Sequence, residues 1–141
     1  MANEQSVATR ETLEDVFSSV SESGFGEKFL DRLADDLVFT VTGSSPLAGR
    51  YTNKAEYREK VLARLHKRLA APLRPTIEQF LVDREWGTVR FRTEDVHGRN
   101  GADFSMQYCW LTRVVDGRIT EIIGFYDTKK MIDLFASTSG L

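Results

Sequence analysis

Tyr108 and Asp95 have the chemistry and the setting to act on a bound molecule. Tyr108 falls among the alternate residues Phe104, Met106, Tyr108, Trp110, Thr112 and Val114, an apolar set set off from Asp103, Ser105, Gln107, Cys109, Leu111 and Arg113. A period of two puts such a set on one face of a strand. A phenol on a buried face is a donor in need of an acceptor, and a ligand carbonyl is an acceptor it can polarise. Asp95 ends the run Trp86 to Asp95 on the same side as Val89, Phe91 and Thr93. That position brings its carboxylate to the mouth of a pocket, where it could serve as a general base. A strand-end carboxylate in water is the plainer alternative.

The remaining reactive types point to no chemistry. His97 sits in the loop-like stretch Val96-His97-Gly98-Arg99-Asn100-Gly101, and His66 sits among Arg64, Lys67 and Arg68 on the wet side of a helix. Cys109 is the only cysteine, which rules out an internal disulfide and a zinc site of cysteine type. No histidine neighbours it in sequence to activate the thiol. No set of His, Asp or Glu has metal-ligand spacing, so neither a metal nor any other cofactor is expected. The cations Lys54, Arg58, Lys60, Arg64, Lys67 and Arg68 are interrupted by Glu56 and Glu59, the pattern of a solvated helix.

Size and composition bound the rest. A chain of 141 residues falls within the range of a single domain and would bury roughly 68% of its unfolded surface, enough for one core and one pocket. One domain spanning residues 1–141 is expected, with its ordered core at about 9–135. A hydrophobic fraction of 41% is too high for a disordered chain, and a net charge of −2 exerts no pull toward nucleic acid or an anionic membrane. The start Met1-Ala2-Asn3-Glu4-Gln5-Ser6 lacks the basic and apolar runs of a signal peptide, and no apolar stretch reaches a membrane-spanning length of about 18 residues. A cytoplasmic protein is expected, with neither nucleic acid nor membrane as partner.

The elements that must position these residues follow from periodicity. Leu13, Val16, Phe17 and Val20 form a helical stripe within Thr9 to Val20, and Phe25, Phe29, Leu30 and Leu33 predict a shorter second helix. Leu37 to Thr42 is β-branched and aromatic and enters the turn Gly43-Ser44-Ser45-Pro46. Asn53 and Glu56 predict a capped third helix, with Tyr57, Val61, Leu65 and Leu69 on one face, running to Pro72. Four strands follow, Thr76 to Asp83, Trp86 to Asp95, Ala102 to Val115 and Arg118 to Asp127. Asp116-Gly117 is a type I′ hairpin signal between the last two. Thr128 to Phe135 closes the chain as a helix capped by Asp127-Thr128, and Ser137 to Leu141 reads as a frayed tail. Helices packed on one side of a curved antiparallel meander make an α+β layer fold. On that sheet Phe91, Tyr108, Trp110, Ile122, Gly124 and Tyr126 face inward as pocket walls, with Tyr51 and Tyr57 at a rim. Plain core packing explains any one of them equally well.

The stretch Asp35 to Tyr51, read DDLVFTVTGSSPLAGRY and followed by the capped helix, resembles the hallmark segment of SnoaL-like proteins. The stretch Tyr108 to Ile119, read YCWLTRVVDGRI and leading into Phe125-Tyr126-Asp127, is similar to that family's final hairpin. The resemblance spans Thr9 to Phe135. It implies the cone of the nuclear-transport-factor-2-like superfamily, in which a bent sheet wraps N-terminal helices around an apolar pocket and the outer sheet face often pairs two copies. A homodimer through Ser105, Gln107, Cys109, Leu111 and Val115 is therefore expected. Against the related ketosteroid isomerases, the helix-one tyrosine falls at Phe17, the carboxylate base at or beside Val41, and the protonated aspartic acid near Trp110. None of these three can move a proton as that mechanism requires. Phe17 and Val41 thus join Tyr57, Phe91, Trp110, Ile122 and Tyr126 as expected ligand-binding residues. The resemblance implies binding of a small apolar or polycyclic molecule, with cofactor-free isomerase, cyclase or dehydratase chemistry open to it. The alternative is a non-catalytic ligand-binding or dimeric interaction module.

Overall fold

A computed structural model describes residues 2–136, so the expected tail at Ser137 to Leu141 lies outside the described residues. Helix α1 (Ala2–Ser23) begins earlier than its apolar stripe, and Leu13, Val16, Phe17 and Val20 are all buried. Its end is fixed by Gly24, whose φ of +76° suits glycine and whose N–H reaches the Val20 carbonyl.

The second helix is shorter than its spacing suggested. Helix α2 (Glu27–Leu30) is a single turn, and Leu33 already begins strand β1 (Leu33–Val41). Leu33 belongs to the sheet because it pairs with Ile119 and both are fully buried. A short strand β2 (Gly49–Tyr51), which has no sequence pattern of its own, pairs with the end of β1.

Helix α3 starts where the cap predicted: Asn53 Oδ1 accepts from Glu56 N at 2.8 Å, and Glu56 reaches back to Thr52 N. It comprises α-helical turns at Lys54–Tyr57 and Ala63–Arg68, separated by a π-helical turn at Arg58–Leu62. There the Ala63 N–H bonds to the Arg58 carbonyl, five residues back. The helix ends at Leu69, which takes extended backbone, rather than continuing to Pro72.

Strands β3 (Thr76–Asp83), β4 (Trp86–Arg92), β5 (Gln107–Val115) and β6 (Arg118–Phe125) form the expected antiparallel meander. Positive φ at both Asp116 and Gly117 forms the predicted hairpin turn. The sheet order is β2-β1-β6-β5-β4-β3, and β1 lies parallel to β6, the one parallel pairing in an otherwise antiparallel sheet. Helix α4 (Thr128–Phe135) is capped by Asp127, whose carboxylate accepts from Lys130 N. Among the described residues no helix is long and apolar enough to cross a membrane.

The helices cover one face of the sheet. On the β5 side of that face Phe104, Met106, Tyr108, Trp110, Thr112 and Val114 are all buried, the alternation read from sequence. The opposite face carries Leu81, Trp86, Val115 and Phe125, which are 57%, 37%, 38% and 44% exposed.

Candidate functional site

The inward sides of β1, β5 and α3 converge on an apolar cavity of about 30 Å³. Alternation on β1 sends Phe39 and Val41 into it, and β5 contributes Tyr108 and Trp110. Tyr57, Val61, Leu62 and Leu65 come from α3, where the π-helical turn buries the consecutive residues Val61 and Leu62 together. Met131 of α4 closes the cavity, and Tyr126 enters from the connection between β6 and α4. A space of this size holds about one water. The apolar pocket expected from sequence is largely filled with aromatic rings.

Those rings centre on Trp110. Its indole meets Phe25, Phe39 and Phe91 at centroid distances of 5.4, 5.3 and 5.2 Å, the last two nearly edge to face. Tyr108 stacks on Phe91 at 4.6 Å, and Phe39 stacks on Tyr57 at 4.3 Å.

Two polar atoms in this apolar cluster have no partner: the Tyr108 hydroxyl and Trp110 Nε1 are both buried and unbonded. Burial raises the Tyr108 phenol above the ordinary tyrosine range, and the Thr93 hydroxyl offsets this slightly without reaching hydrogen-bonding geometry. Tyr57 is raised by burial alone. Tyr126 is raised by burial and by the neighbouring Tyr57, with the Trp110 N–H opposing but unbonded. All three phenols therefore stay protonated at neutral pH and can only donate or accept hydrogen bonds. No carboxylate or imidazole lines the cavity. Among the described residues no three His, Cys, Asp or Glu side chains converge.

The structure sorts the expected site residues into three groups. Tyr108, Val41, Tyr57, Trp110 and Tyr126 line the cavity together. Phe17, Phe91 and Ile122 lie behind that lining: Phe17 and Phe91 pack on Trp110, and Ile122 is fully buried in the core. Asp95 is displaced altogether. Strand β4 ends at Arg92, and Asp95 is exposed in a turn with φ of +53°, away from the cavity lining. At the ladder's end the Thr93 N–H still donates to the Met106 carbonyl, but the Met106 N–H donates to the Thr93 hydroxyl, which itself donates to the Phe104 carbonyl. Sequence reasoning missed the other nine lining residues as site residues: Phe25, Val61, Leu65 and Phe104 carried a periodic signal and Phe39 an expected strand, whereas Leu47, Leu62, Leu73 and Met131 carried none.

On the other side of Tyr108 and Tyr126 lies an open groove of about 660 Å³. It begins where β5 loses its β6 neighbour, since Cys109 to Phe125 is the last pair of that ladder. Arg90, Arg92, Gln107 and Phe125 form its floor, and Lys130 of α4 and the capping residue Asp127 form its wall. Tyr108 and Tyr126 belong to both spaces and meet edge to face at 5.8 Å.

Comparison with known proteins agrees with this architecture. Residues 13–122 match the SnoaL-like domain. An NTF2-like protein of unknown function from Burkholderia pseudomallei superposes with a TM-score of 0.76 at 19% identity, over 92% of this chain and 98% of that one. An LEH-like epoxide hydrolase from M. tuberculosis gives a TM-score of 0.66 at 18% identity, over 92% and 90%. TerC, co-crystallised with polyporic acid, gives 0.70 at 16% identity, over 89% and 98%. At these identities the likeness establishes a shared fold. No curated protein matches the sequence.

Proposed function

The chain belongs to the SnoaL-like domain family, and from that premise we propose that it binds a small, flat, largely apolar molecule whose hydrogen-bond acceptor meets Tyr108 and Trp110. The observation that carries this reading is the pair of buried donors, the Tyr108 hydroxyl and Trp110 Nε1, unpartnered on the wall of an apolar cavity. Leaving such a group unbonded costs about 1–3 kcal/mol, a penalty that a ligand carbonyl accepting from both would remove. Because the cavity holds only about 30 Å³, the ligand enters by displacing lining side chains. Tyr126, outside every helix and strand and only partly buried, is best placed to move.

The absence of a carboxylate or imidazole from the lining favours a binding module over an acid-base isomerase, cyclase or dehydratase. The Tyr108 phenol and the Trp110 indole can hold and polarise a carbonyl, but neither takes up a proton at neutral pH. The same reading includes a cytosolic homodimer, with a second copy covering the apolar part of the outer sheet face at Leu81, Trp86 and Val115, clear of the groove. A monomer in solution at micromolar concentration would remove the dimer and leave the binding reading intact.

The binding reading is tested by calorimetric titration with 2-acetylnaphthalene, a flat bicyclic ketone. Binding is expected, with Tyr108→Phe and Trp110→Phe each weakening it about tenfold. Absence of binding, or affinity indifferent to both substitutions, overturns it.

A further inference from the structure

We propose that the groove between β5 and the start of α4 is the mouth of the aromatic cavity, that Tyr126 is its gate, and that Arg90 selects ligands bearing a carboxylate. This rests on the binding reading above and narrows it to aromatic acids.

The groove and the cavity share two side chains, Tyr108 and Tyr126, and nothing else lines both. Tyr108 is anchored on β5 and stacked on Phe91. Tyr126 follows the last residue of β6 and is only half-buried. Its ring lies over Gly124, so close that a Cβ there would stand 2.2 Å from its hydroxyl oxygen. The closed position of the ring thus depends on a glycine beneath it, and turning Tyr126 outward joins the two spaces. The buried, unpartnered Tyr108 hydroxyl is then open to a ligand that enters from the groove.

Charge in the groove decides the ligand's class. Arg92 is held by Glu94 at 2.9 Å and by Glu78 at 3.6 Å. Lys130 is held by the Ser105 carbonyl and by Asp103 at 3.4 Å. Asp127, the one carboxylate in the lining, is engaged as the cap of α4. Arg90 is exposed at the groove floor and, among the described residues, carries no ion pair. It is the uncompensated charge of this surface. A guanidinium presents a planar fork that fits a carboxylate with two parallel hydrogen bonds. A flat acid would therefore rest its carboxylate on Arg90 and pass its rings by Tyr108 into the space that Tyr126 leaves when it turns outward.

The test compares 2-naphthoate with its neutral isostere 2-acetylnaphthalene by calorimetric titration, in wild type, Arg90→Ala, Gly124→Ala and Tyr126→Ala. Arg90→Ala is expected to weaken 2-naphthoate about tenfold and leave the ketone unchanged. Raised ionic strength should weaken the acid alone. Gly124→Ala, which must push Tyr126 aside, and Tyr126→Ala, which removes it, are each expected to tighten both probes severalfold. If the ketone binds while the acid is indifferent to Arg90→Ala, the anion assignment fails and the cavity reading stands. Equal or weaker binding of both probes to the two gate variants overturns the gate. If neither probe binds any variant, the cavity reading fails together with this one.

Discussion

Thr112 and Tyr108 face the same way on β5, and both are buried. The Thr112 hydroxyl donates to the Gly87 carbonyl at 2.7 Å, whereas the Tyr108 hydroxyl has no partner. The difference extends to their surroundings. Around Thr112 the molecule is closed by aliphatic packing of Leu13 on α1 and Ile119 and Ile122 on β6, all fully buried. Around Tyr108 and Trp110 the packing is aromatic, a small cavity persists, and two donors stand idle. One end of the cone is finished as a protein core. The other keeps two buried donors without an acceptor.

That contrast can be broken at several points. The largest effect belongs to Trp110→Ala, which removes the ring that Phe17, Phe25, Phe29, Phe39 and Phe91 all touch. A loss of about 3–5 kcal/mol in urea unfolding is expected. Leu13→Ala at the closed end is expected to cost about 2–5 kcal/mol, showing that both ends carry the fold. Alkaline titration sharpens the contrast next. Tyr57, Tyr108 and Tyr126 have folded pKa values raised above the ordinary 10, so the unfolded chain gives up these protons first. Their contribution is intact below pH 10 and is lost as pH climbs above it, at about 1.4 kcal/mol per pH unit for each phenol. The urea midpoint should fall steeply from pH 10 upward, and less steeply in Tyr108→Phe. Thr112→Val, which deletes a satisfied hydroxyl, is expected to cost about 1 kcal/mol by the same unfolding measurement.

The sequence carried much of this arrangement because side-chain alternation is a local property. Phe104 and Met106 were read on the correct face although β5 begins only at Gln107, since extended chain keeps its period of two outside a ladder. Alternation said nothing about where a ladder ends, and so it carried β4 three residues too far, to Asp95. Helical spacing likewise absorbed Leu33, whose place in β1 depends on Ile119, remote in sequence. The two idle donors were illegible for a similar reason. Whether Thr112 or Tyr108 finds a partner depends on what lies opposite in the folded chain, and no spacing records it. The size of the cavity was hidden too, because it is the small remainder after many rings have packed.

The most direct measurement is urea unfolding of Tyr108→Phe beside wild type, with and without 2-acetylnaphthalene. The account predicts a variant as stable as wild type or up to about 1 kcal/mol more stable without ligand, because an unbonded buried hydroxyl is gone. It also predicts that the ketone stabilises wild type more than the variant. A variant that loses 1 kcal/mol or more without ligand, and gains as much from the ketone as wild type does, would contradict it: the phenol would then have been satisfied within the protein all along.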